Sequence, residues 1–184
     1  RGVYHTLLGI CEPRSAIRKS TQIEGLAILP ANQDLLGAEL EMVSAVSREH
    51  RLSEVITGVK DDYDFAIIDC PPSLGLLTLN SLTAAHSALI PLQCEYYALE
   101  GLSQLTSTVD LIKRSLNPRL QLEGILLTMF DRRNNLCHQV AKDARQHFGK
   151  SVLDVVIPRN VRLSESPSYG KPIYLYDRAS RGAR

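Results

Sequence analysis

Short apolar runs recur along this chain between stretches of helical period, and that alternation limits the possible folds more than any other feature. The runs are Gly25-Leu26-Ala27-Ile28-Leu29-Pro30, Phe65-Ala66-Ile67-Ile68-Asp69, Ala88-Leu89-Ile90-Pro91-Leu92, Gly124-Ile125-Leu126-Leu127-Thr128-Met129 and Val152-Leu153-Asp154-Val155-Val156-Ile157. They lack strict apolar/polar alternation, which suits strands buried on both faces. Between them, residues 37–59 carry Leu40, Val43, Val46, Leu52, Val55 and Ile56 at helical positions. Residues 74–85 read as a second helix. Residues 99–116 read as a third, with Leu102, Leu105, Val109 and Ile112 near one face and Asn117-Pro118 as its stop. A fourth, residues 137–148, is closed by Gly149. The alternation predicts an α/β fold: a mostly parallel sheet with helices on both faces.

At 184 residues, with 44% hydrophobic and 22% charged residues, the chain suits one globular domain spanning residues 1–184. No run approaches the roughly 18 apolar residues that cross a bilayer, so no membrane role is expected. Cys11, Cys70, Cys94 and Cys137 are far apart and form no CxxC pair, which reads as reduced thiols of a cytoplasmic protein. Charge is unevenly spread: residues 1–131 hold 10 Lys+Arg against 16 Asp+Glu, and residues 132–184 hold 11 against 4. The basic end suits an anionic partner, and it equally suits a solvated surface.

In parallel α/β sheets ligands sit at the carboxyl ends of the strands. Asp69 ends an apolar run there, and Cys70-Pro71-Pro72 then turns the chain. An acid so placed holds Mg²⁺ in nucleotide-hydrolysing folds, and it can also serve as the cap of the next helix. Both readings of Asp69 stand at this point. A phosphate-binding loop needs Gly-rich backbone N–H groups after a strand and at a helix start. Gly149-Lys150-Ser151 instead follows a helix and precedes a strand, and Tyr169-Gly170-Lys171-Pro172 fails likewise. The five histidines are scattered, and no Ser/His/Asp set stands out.

Asp62-Tyr63-Asp64-Phe65-Ala66-Ile67-Ile68-Asp69-Cys70-Pro71-Pro72-Ser73-Leu74-Gly75 resembles the Walker B stretch of the ParA/Soj partitioning ATPases. Gln93-Cys94-Glu95-Tyr96-Tyr97-Ala98-Leu99-Glu100-Gly101-Leu102, Leu127-Thr128-Met129-Phe130-Asp131 and Ile157-Pro158-Arg159-Asn160-Val161-Arg162-Leu163-Ser164-Glu165 resemble the same family, in family order. Pro30-Ala31-Asn32 and Leu36-Gly37-Ala38-Glu39-Leu40 fit as well. The resemblance runs from about residue 3 to the end of the sequence.

The resemblance implies a P-loop ATPase that uses ATP and Mg²⁺. Such proteins close into a homodimer when ATP-bound, bind double-stranded DNA without sequence preference and are stimulated by a ParB/Spo0J-type protein. They act in the bacterial cytoplasm, at the nucleoid. It places Asp69 near Mg²⁺, through water. It sets Pro158 and Arg159 against the adenine, and Asp131 at the base-proximal strand end. Glu95 falls near the nucleotide and dimer interface, where a plain helix-start acid remains the other reading. Arg133 and Arg162 match arginines associated with DNA, and Arg132, Lys142 and Lys171 extend that patch. The family's first strand, phosphate loop, first helix and last helix have no counterpart in the sequence, so this chain is expected to be part of the domain, with open strand edges and no ATP hydrolysis of its own. Three other readings are a MinD-like positioning ATPase, an iron-protein relative, and a non-catalytic module that binds DNA or a partner.

Overall fold

The runs at residues 88–92, 124–129 and 152–157 become the strands β3 (Ser87–Gln93), β4 (Gln121–Phe130) and β5 (Val152–Pro158), all parallel and in the order β3-β4-β5. The computed structural model describes every residue except Pro72 and Leu74. It divides into two compact units, residues 1–86 with 108–120, and residues 87–107 with 121–184. The parallel sheet belongs to the second.

In that unit Ile90 lies opposite Ile125, and Leu92 opposite Leu127. These residues form one core with Cys94, Val152, Leu102 of α6 (Ala98–Ser115) and Cys137, Val140, Ala141 and Ala144 of α7 (Asn135–Phe148). Two crossovers advancing in the same direction lay their helices on one face when both are right-handed, and this single cluster contains residues of both helices. The α/β class and the parallel sheet follow the sequence. Burial on both faces does not extend to β3, which alternates instead. Ile90 and Leu92 are buried in the core they share with α6 and α7, while Leu89, on the other face of the strand, is 50% exposed.

Both ends of α7 are set locally. The Asn134 side chain accepts a hydrogen bond from the Leu136 N–H at 2.9 Å, satisfying a first-turn donor. Gly149 ends the helix at φ +53°, a conformation that costs a side-chain-bearing residue energy. Gly149-Lys150-Ser151 therefore leaves a helix and enters β5, the reverse of a phosphate loop's order.

The other unit holds α1 (Val3–Leu7), α2 (Pro13–Ala16), α3 (Leu35–Glu41), α4 (Arg51–Thr57) and α5 (Leu76–Ala84). Leu7, Ala38, Met42, Leu52 and Val55 are its buried core. Three expectations need correction here. The run at residues 25–30 shrinks to β2 (Ala27–Ile28), paired antiparallel with β1 (Arg18–Lys19). The run at residues 65–69 joins no ladder. Phe65 is 89% and Ile67 96% exposed, because no strand among the described residues lies alongside to pair with them, and only Ile68 packs on the core. The helix expected from residue 74 begins at Leu76, and Leu74 lies outside the described residues, as does Pro72, where the sequence suggested a turn.

The helical pattern over residues 37–59 is also broken in two, and the cause is visible. In a continuous helix the Leu52 N–H would bond the Arg48 carbonyl. Here the fully buried Asn80 side chain stands between them. Its Nδ2 donates to the Arg48 carbonyl at 2.9 Å, and its Oδ1 accepts from the Leu52 N–H at 3.1 Å. Ser47, at φ +53°, makes the bend just before this insertion. Removing the amide with Asn80→Ala strands the buried Leu52 N–H and leaves the Arg48 carbonyl without its partner, a cost of about 1–3 kcal/mol. Urea unfolding of the intact protein should show that loss, while Ser103→Ala on the exposed side of α6 should leave the midpoint nearly unmoved.

Candidate functional site

Parallel strands end on the same edge, so the residues just past β3, β4 and β5 are neighbours. Past β3 come Cys94 and Glu95, past β4 Asp131, and past β5 Arg159. The edge is stitched by backbone hydrogen bonds. The Cys94 N–H donates to the Thr128 carbonyl at 3.2 Å, and the Arg159 N–H donates to the Phe130 carbonyl at 3.1 Å. Phe130 is paired with Pro158 in register. Asp131 and Arg159 are thus each one residue beyond a paired position on adjacent strands.

Asp131 is the most strongly held group on this edge. Its carboxylate accepts from Arg133 Nε at 3.2 Å, from Arg133 Nη2 at 3.0 Å and from the Arg133 N–H at 3.0 Å. The Arg133 side chain foremost, then its backbone N–H, hold the Asp131 carboxyl down to about 2, with a smaller contribution from the charge of Arg159. Glu95 is exposed at the mouth of an open concavity of about 650 Å³ that Leu92, Gln93, Tyr96, Tyr97 and Leu136 also line. Tyr96 and Tyr97 meet edge to face at 5.1 Å and are 73% and 77% exposed.

The basic residues follow from the same edge. Asn160 caps α8 (Val161–Glu165) by accepting from the Arg162 N–H at 2.8 Å. The Arg162 guanidinium reaches Glu165 at 2.9 Å and Asp177 at 3.4 Å, and the Tyr176 hydroxyl donates to Glu165 at 2.9 Å. Lys171 is exposed, just after Gly170 at φ +61°. Arg132 and Lys142 are exposed too. Asp131 was singled out in the sequence, but not as the partner of Arg133, and neither Glu165 nor Asp177 was singled out as a partner of Arg162. Only the (i, i+3) spacing of Arg162 and Glu165 could have suggested one of them.

Asp69 belongs to the other unit. It is exposed and makes no hydrogen bond or ion pair with the described residues. No group of three or more His, Cys, Asp or Glu among the described residues could hold a metal ion. A lone, solvent-facing carboxylate nevertheless fits Mg²⁺, which keeps several of its waters and takes only one or two protein carboxylates. No helix among the described residues is long and apolar enough to cross a membrane.

A family model described as an AAA domain matches residues 1–122. The chain is 57% identical over 180 residues to the chromosome partitioning protein ParA of Myxococcus xanthus, an alignment covering 98% of this chain and 63% of that protein. It is 58% identical over 167 residues to the sporulation initiation inhibitor protein Soj of Bacillus subtilis, covering 91% of this chain and 66% of that one. Among solved structures, cobyrinic acid a,c-diamide synthase from Mycobacterium smegmatis with bound ATP analog and magnesium superposes at a TM-score of 0.81 and 37% identity, covering 93% of this chain and 74% of that one. The chain therefore spans a little under two thirds of the length of the two curated relatives named.

The Asp131–Arg133 fork makes a titration prediction. A carboxyl depressed in the folded state contributes stability above its unfolded value, near 3.8, and loses it as pH falls toward about 2. Carbon-detected NMR of the intact protein should find Asp131 ionised down to that range, and Arg133→Ala should bring its midpoint back up toward 3.8.

Proposed function

Since the chain belongs to the ParA/Soj family of chromosome-partitioning ATPases, we propose that the protein containing it is a DNA-segregation ATPase of the bacterial nucleoid, with residues 1–184 forming part of one P-loop ATPase domain. In this reading the protein closes into a homodimer on ATP, binds double-stranded DNA without sequence preference and hydrolyses ATP faster when a ParB-type partner engages it. One observation supports the reading: the adjacent ends of β4 and β5 carry Asp131, Pro158 and Arg159, with Arg133 just past β4 and Arg162 on α8 just past β5.

Each residue then has a role. Pro158 and Arg159 form a lip against the adenine, and Asp131 accepts from base-edge donors. Glu95 borders the nucleotide and the dimer contact. Asp69 orients a water of Mg²⁺. When bound, Mg²⁺ and ATP supply the scissile phosphoanhydride and neutralise charge on its oxygens. No phosphate-binding loop occurs in residues 1–184, so hydrolysis is assigned to the intact protein. Arg133, Arg162 and Lys171 meet the DNA backbone and release counterions, which gives affinity without base readout.

Two measurements on the intact protein test this. Asp69→Asn should reduce Mg²⁺-dependent ATP hydrolysis at least about 100-fold at unchanged thermal stability, given what a charge clamp contributes to phosphoryl transfer. Arg133→Ala and Arg162→Ala should each weaken binding to the same extent for unrelated duplex sequences and flatten the salt dependence, by up to about one unit of slope. Sequence-dependent losses, or unchanged binding in both variants, would remove the DNA assignment.

A further inference from the structure

Between residues 155 and 184 the chain holds six Lys+Arg and only two Asp+Glu, Glu165 and Asp177. In so basic a stretch, acids scattered at random would seldom share one partner. Here both contact the same guanidinium. Glu165 sits 2.9 Å from Arg162 Nη1, and Asp177 sits 3.4 Å from Arg162 Nε. Arg159, Lys171, Arg178, Arg181 and Arg184 make no ion pair with the described residues.

The cage is built from two separate segments. Glu165 ends α8, on the same helix as Arg162. Asp177 follows α9 (Ile173–Tyr176), in the C-terminal segment. The two are tied together. The Tyr176 hydroxyl donates to Glu165, and the Tyr176 ring stacks near Tyr169 at 5.0 Å. A side chain at Gly182 would collide with Leu163, so the tail is folded back closely over α8. Asp177 Oδ1 also accepts from the Ala179 and Ser180 N–H groups at 3.1 Å, which fixes its carboxylate.

We propose that Glu165 and Asp177 form an autoinhibitory cage around Arg162, so that the DNA backbone must displace two carboxylates before this arginine takes a phosphate. The inference rests on the DNA reading above and adds its regulation. A guanidinium already shared by two carboxylates must give up those ion pairs to neutralise a phosphate and displace the cations condensed on DNA, so it contributes less to affinity than its unpaired neighbours. Any event that lifts the residue 172–184 segment away takes Asp177 with it and raises affinity at this point. Exposed ion pairs are weak, which is what a displaceable cage requires.

The test uses the intact protein, an unrelated duplex and the double variant Glu165→Gln/Asp177→Asn. The amide oxygens can still accept from Tyr176, Ala179 and Ser180, so the scaffold is kept and only charge is removed. Affinity at low salt should rise about tenfold, with a steeper salt dependence. Arg162→Ala in the double-variant background should cancel the gain and return affinity to that of Arg162→Ala alone. A gain that survives Arg162→Ala, or that is matched by Glu123→Gln/Asp154→Asn elsewhere on this unit, is a general charge effect and overturns the cage. So does unchanged affinity in the double variant while Arg162→Ala still weakens binding. If wild type and every variant fail to bind duplex DNA, the DNA reading itself falls and the cage falls with it.

Discussion

Parallel pairing is the constraint on which the site depends. Once β3, β4 and β5 run in the same direction, their carboxyl ends share one edge, and residues far apart in sequence become neighbours there. Cys94, Asp131 and Arg159 lie along one edge for that reason. The pairing is held from one face, where α6 and α7 pack on Ile90, Leu92, Ile125 and Leu127. The edge is thus supported by a well-filled core, while its own side chains remain open to solvent.

A buried carboxamide plays a comparable part in the other unit. Asn80 replaces one peptide hydrogen bond of a helix with two of its own, and so divides a segment whose apolar spacing alone suits one continuous helix. Asn117 acts similarly at the end of α5, donating to the Leu82, Thr83 and Ala85 carbonyls, which a helix terminus leaves unpaired. Neither interaction changes the fold class, but each fixes where an element stops.

These cases show what could be read from the sequence. The strands at residues 88–92, 124–129 and 152–157 and the helices α6 and α7 were legible because periodicity, an Asn-Pro stop and a glycine cap are local signals. The break near Ser47 was not, because its cause lies some thirty residues away in Asn80. The run at residues 65–69 has every mark of a strand, yet a strand exists only when a neighbour accepts its hydrogen bonds. Asp131, Pro158 and Arg159 were singled out by the resemblance, and the structure puts them at the adjacent ends of β4 and β5. That Arg133 and Arg162 are already held by carboxylates was not legible, because an ion pair depends on where Asp131 and Asp177 fold back. The excess of basic residues after position 131 marked the surface but not which cations on it are engaged.

In the function proposed above, nucleotide engages the carboxyl edge formed by β4 and β5. The most direct test is hydrogen–deuterium exchange on the intact protein with and without ATP and Mg²⁺. Slower exchange confined chiefly to the segments around residues 128–134 and 157–163 is the expected result, since these carry Asp131, Pro158 and Arg159. Nucleotide-dependent protection that leaves both segments unchanged would place the nucleotide elsewhere.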